Sequence, residues 1–118
     1  MRSVLVNGEV GGDDLGGLFS AVGADAQGAV AYAFGPVRVV VLVGRKFFFR
    51  SNDYLGLVIV ATTDGREQRI DISYAGGGSG LLGVQWGAGS DLESQLYTEV
   101  VGLVQRRSLS CSDAPAPG

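Results

Sequence analysis

The chain has 118 residues, a formal charge of −3 and an isoelectric point near 4.7. That length suits one domain with a modest core, and the acidic balance argues against duplex nucleic acid, which calls for a basic surface. With no histidine, the chain lacks His-based acid–base chemistry, the Ser–His and Cys–His nucleophile pairs and the commonest metal ligand.

Residues 2–10 read as a short strand at a sheet edge, with Val4 and Val6 on one face. No signal-peptide hydrophobic region opens the chain, and no apolar run approaches the ~20 residues a spanning helix needs. The expectation is a cytoplasmic protein with no membrane partner. Asp13 and Asp14 then offer a helix N-cap and negative charge at the positive end of the dipole. Leu15, Leu18, Phe19 and Val22 follow as one apolar helical stripe. Gly16 and Gly17 each cost about 1 kcal/mol there relative to alanine, so this helix leans on packing. Residues 28–34 (GAVAYAF) form a strand candidate, and Gly35-Pro36 marks the turn into a β-branched and aromatic strand over residues 37–50.

Residues 54–74 (YLGLVIVATTDGREQRIDISY) read as a hairpin centred on Asp64-Gly65, a pair suited to a two-residue type I′ turn. That turn opposes Ile59 to Ile70, Leu57 to Ile72 and Leu55 to Tyr74 on one face. On the other face it opposes Val60 to Arg69, Val58 to Asp71 and Gly56 to Ser73. A one-residue slip would set Arg69 and Asp71 against the Leu/Ile stripe, so the faces are strongly specified. Between this hairpin and the preceding strand, a loop of Ser51, Asn52 and Asp53 places Phe47 and Phe49 on the face of Leu55 and Leu57. Asn52 or Asp53 takes the left-handed position. The same parity would point Arg45 inward, which predicts a bulge at Gly44-Arg45. Arg45, Lys46 and Arg50 read as a solvated strand end.

A glycine-rich loop (residues 76–80) and a further strand candidate (residues 81–86) come next. Gly78, Ser79, Gly80 and the residues after them match G-x-G-x-x-G, but no helix or parallel strand follows to complete a dinucleotide unit. A tight turn is the expectation. Gly77, Gly78, Ser79 and Gly80 remain a candidate anion nest, and Trp86 is either a core-rim residue or a ligand-stacking surface. Ser90 and Glu93 spell a capping box, and Leu92, Leu96, Val100, Leu103 and Val104 form the buried stripe of a terminal helix ending at Arg106 and Arg107. Residues 108–118 lack a pattern and end in Ala-Pro repeats, which predicts a disordered tail. The single cysteine, Cys111, lies in that tail; it excludes an intrachain disulfide and suggests a reducing compartment.

The order is β-α-β-β-β-β-(β)-α. It predicts one α+β domain over residues 1–107, with an antiparallel sheet of five to six strands and two helices on one face. The other face would carry Val58, Val60, and Val40 or Leu42, beside Arg69 and Asp71. That is more apolar than a monomer normally shows to water.

The segment Lys46-Phe47-Phe48-Phe49-Arg50-Ser51-Asn52, the hydrophobic strand after it, the glycine loop and Trp86-Gly87-Ala88 before a terminal helix resemble a family of small bacterial proteins. That family is known only as a domain of unknown function. The resemblance covers about residues 45–104, and Gly16-Gly17 departs from the family's glycine-poor helices. It implies no activity, cofactor or site. The abundance of Gly, Ala, Val, Arg and Asp beside one Lys also suggests a GC-rich bacterial source. The functional expectation is a non-catalytic binding or assembly module forming a homo-oligomer, a dimer in the first instance, through its sheet. The alternative is a small-molecule binder using a cavity near Trp86 and the glycine loop; a His-free enzyme ranks third. No cofactor or metal is implied.

Overall fold

The computed structural model describes residues 1–49, 52–75 and 88–114. Its strands are β1 (Arg2–Asn7), β2 (Asp25–Phe34), β3 (Val37–Phe48), β4 (Asp53–Thr63), β5 (Gln68–Ala75) and β6 (Ser110–Ala114). They form one six-stranded sheet in the order β2-β3-β4-β5-β1-β6, and every neighbouring pair is antiparallel. The helices are α1 (Gly12–Gly16), α2 (Leu18–Ala21) and α3 (Ala88–Arg106). The first expected helix therefore occurs as two short segments meeting at Gly17. The fold is α+β with an open sheet and its helices on one face, as the element order predicts. No helix among the described residues is long and apolar enough to cross a membrane.

The core lies between the helices and one sheet face. Val4 and Val6 of β1, Leu55, Leu57 and Ile59 of β4, and Ile70 and Ile72 of β5 meet Leu15, Phe19, Leu92, Leu96 and Val100 of the helices. All five residues of the terminal stripe are buried. Buried Gln68 gives its amide N–H to the Val10 carbonyl (3.0 Å) and accepts the Val10 N–H (2.9 Å), which ties the segment after β1 to β5.

The β4–β5 register differs from expectation by two residues. Ile59 lies opposite Ile72, Ala61 opposite Ile70 and Leu57 opposite Tyr74, while Val60 faces Asp71 and Val58 faces Ser73. The cause is a longer loop across residues 64–67. The Asp64 carboxylate accepts the backbone N–H groups of Arg66 (2.9 Å) and Glu67 (3.1 Å). Thr63 Oγ1 accepts the Gly65 N–H and donates to the Glu67 carbonyl. Only Gly65 in this loop has positive φ, at +96°, so the two-residue type I′ turn does not form. The shift is even, so each side chain keeps the face assigned to it.

The β3–β4 hairpin corrects a second expectation. Phe48 pairs with Asp53, and the ladder runs unbroken from there to Arg38 and Thr63. Beyond that pair the Asn52 N–H donates to the Phe49 carbonyl at 3.3 Å, and Asn52 at φ +52° is the left-handed residue. The even-numbered residues of β3 therefore face the helices and Phe47 faces away, contrary to the predicted parity. There is no bulge at Gly44-Arg45; the irregularity lies in β2, between Ala26 and Gly28. Gly44 suits its inward position, because a Cβ there would come within 2.8 Å of the Phe19 ring. Lys46 also points to the helix side, where its ammonium donates to the Val22 carbonyl at 2.9 Å.

Three further expectations are overturned. β1 is not an edge strand, because β5 and β6 flank it on its two sides. Residues 110–114, expected in a disordered tail, form β6 instead. Ser108 at φ +59° reverses the chain after α3, Leu109 and Cys111 pack against the core, and the Tyr97 hydroxyl donates to the Asp113 carboxylate. Finally, α3 begins at Ala88, so Ser90 sits inside the helix rather than capping it, and the Glu93 carboxylate lies 3.4 Å from the Met1 amino group.

Candidate functional site

Alternation along the strands sorts side chains between the helix face and a face that no described helix covers. On β3 the open face takes Val39, Val41 and Val43, not the expected Val40 or Leu42, because those two share the parity of inward-facing Gly44. On β4 it takes Val58 and Val60, both half-buried. On β2 it takes Val30, Tyr32 and Phe34, which are 48%, 53% and 69% exposed. These residues are cross-strand neighbours, so the apolar surface runs unbroken from β2 across β3 to β4.

The surface has defined borders. At one end the Phe47 ring lies edge-on to Tyr54 (5.0 Å) and Phe49 (5.1 Å), and the Arg45 guanidinium sits 4.2 Å over the Tyr54 ring. Arg45 and Lys46 thus diverge, one onto the open face and the other under the helices, and Arg50 lies outside the described residues. On the β5 side Asp71 Oδ1 accepts Arg69 Nε at 3.0 Å and the Ser3 hydroxyl at 2.6 Å. Val58, Val60, Arg69 and Asp71 are therefore brought together on one face, with the charged pair neutralised within its own chain.

On the opposite, helix-bearing face, α1 and α2 stop short of the far half of β2. A cavity of about 340 Å³ opens there, lined by Val10, Ala31, Ala33, Val40 and Ala61, with the Glu9–Arg38 ion pair (2.7 Å) at its rim. A shallower groove of about 570 Å³ adjoins it along Gly12, Asp13, Ala29 and Leu42. The candidate ligand residues Gly77, Gly78, Ser79, Gly80 and Trp86 lie outside the described residues.

The shifted groups lie at the β4–β5 turn and at the contact between α3 and β6. Two backbone N–H groups, from Arg66 and Glu67, hold the Asp64 carboxyl below its ordinary value. The hydrogen bond to Asp113 raises the Tyr97 phenol above its own. No group of three or more His, Cys, Asp or Glu side chains is placed to hold a metal ion among the described residues. What the open face offers is apolar area and cross-strand shape. Sequence reasoning missed the contribution of β2, although Ala29-Val30-Ala31-Tyr32-Ala33-Phe34 spells it out as alanines alternating with larger residues. Comparison with protein-family models, curated proteins and solved structures found no match.

Proposed function

We propose that the protein is a non-catalytic assembly module that self-associates through the open face of its sheet, as a dimer in the simplest case. One observation carries the reading: the unbroken apolar surface of β2, β3 and β4 on the face opposite the helices. Contiguous apolar patches mark interaction sites, whereas scattered single residues do not. Each Å² of that surface removed from water contributes roughly 25 cal/mol. A two-fold contact buries the same patch on both copies, with Val41 near its centre, Val58 and Val60 on its β4 side and Arg69 and Asp71 on its polar rim. Bacterial cytoplasm is a compatible setting for a chain with one unpaired thiol. The test is Val60→Lys, which places a charge within the patch. Sedimentation should show the wild type heavier than the variant at equal concentration, with both folded by circular dichroism. Equal masses at high concentration would sink the reading.

A small apolar ligand is the second reading, supported by the cavity beside Val10 and Ala31. Native mass spectrometry of the purified chain should then show a bound mass that Ala61→Trp removes. A bare chain that small apolar probes do not stabilise against heat would count against it.

A further inference from the structure

All ten residues of β2 are exposed, and its outer side pairs with no strand among the described residues. Unpaired edge N–H and C=O groups template further pairing, so edge strands are usually short, charged, broken by proline or covered. β2 has none of these protections from Ala26 to Phe34: the stretch carries no charge and no proline. Its one irregularity, at Gln27, leaves residues 28–34 in continuous register with β3.

We infer that β2 is a homotypic pairing edge, adding antiparallel to β2 of a second copy and joining two sheets into one across a two-fold axis normal to the sheet. The sequence of β2 selects the register. Residues directly opposed in an antiparallel pair share a face, so each β2 residue must meet one of its own parity. With Ala31 on the axis, Val30 meets Tyr32 of the second copy and Gly28 meets its Phe34, each twice by symmetry. Ala29 meets Ala33 on the helix side. Every aromatic ring then lies over a smaller neighbour, and the whole regular run is paired. Moving the axis to Tyr32 sets Gly28 against Pro36, beyond the strand end. Moving it to Val30 carries the pairing across the bulge at Gln27. The Ala31 register is therefore the longest that the bulge and the Gly35-Pro36 turn permit.

This contact goes beyond the face contact and does not depend on it, since Ala31 and Val60 lie on opposite faces. Their axes also differ: the edge axis is normal to the sheet, and a face-to-face axis lies in its plane. Edge pairing would bring the alanine-floored grooves of the two copies side by side.

The test uses the full chain carrying Cys111→Ser. Ala31→Cys should oxidise to a linked dimer in far higher yield than Ala29→Cys alone, while Ala29→Cys mixed with Ala33→Cys should cross-link as a heterodimer. Separately, Ala31→Lys and Ala31→Glu should each weaken dimerisation several-fold, and mixing them should restore it, because the axis sets position 31 opposite itself. Cross-linking at 31 no better than at 29, or a mixture no heavier than its parts, overturns the pairing, as does an edge that accepts only a foreign peptide strand while the chain stays monomeric. Val60→Lys separates the two contacts. Cross-linking at 31 that survives it supports the edge whatever becomes of the face. A Val60-sensitive mass with no cross-link at 31 keeps the face and refutes the edge.

Discussion

Replacing Gly44 with alanine adds one methyl group where α2 presses on the sheet. An ideal Cβ at that position lies 2.8 Å from one Phe19 ring carbon and 3.0 Å from two others. The Phe19 side chain is 1% exposed, so the ring has no solvent to retreat into. Overpacking of this kind costs about 1–3 kcal/mol. Against it stands the relief of glycine's backbone entropy, worth about 0.4–1 kcal/mol. The net expectation is a loss of about 1–2 kcal/mol, read as a lower urea midpoint with an unchanged slope. Phe19→Leu makes room for the methyl, so the double variant should be more stable than the sum of the single losses allows, by at least about 0.5 kcal/mol. Gly44→Ala at or above wild-type stability would show that β3 does not place Gly44 beneath Phe19, and with it the parity of the whole strand would fall.

Gln68→Leu removes both hydrogen bonds to Val10 and leaves a buried N–H and C=O unpaired; the denaturation midpoint should report a loss of at least about 2 kcal/mol. Leu96→Ala, at a position with 0% exposure, should cost about 2–5 kcal/mol by the same assay. Deleting residues 109–118 should also destabilise, because it removes β6, Leu109 and Cys111 from their packing against β1 and the core; unchanged stability would mean that β6 does not pair. Asp64→Ala tests the turn through pH. The folded-state pKa of Asp64 is lowered, so its contribution is present above the ordinary value of 3.8 and is lost as pH falls through the folded value. The stability gap between wild type and Asp64→Ala should therefore be full at neutral pH and close in strong acid; a gap independent of pH would contradict the role of the carboxylate.

The readings from periodicity and those from turn chemistry fared differently, for a physical reason. Alternation in Gln68–Ala75 fixes which side chains face the core, and Ile70 and Ile72 do so. Alternation is unchanged by a shift of two, however, so it leaves the partner of Ile59 open. The turn decides that, and Asp64 engages two backbone N–H groups rather than entering a left-handed conformation. At the other hairpin the aromatic run Phe47-Phe48-Phe49 fits either face, and its parity is set by the pairing of Phe48 with Asp53, which no local sequence signal specifies. β6 carries no large apolar residue, so nothing local announces it; it forms because β1 offers an edge and Cys111 sits opposite Val6. On the candidate site, the pairing of valines with Arg69 and Asp71 on one face was legible from the hairpin alone. The extension across β2 depended on knowing that β2 ends the sheet.

The mass of the wild-type chain across about a hundredfold dilution, measured by light scattering, tests self-association most directly, because a reversible assembly must follow mass action. The expected result is a mass that climbs above the 12.2 kDa of one chain as concentration rises, and a climb that Val60→Lys reduces. A mass fixed at one chain over the whole range would contradict it.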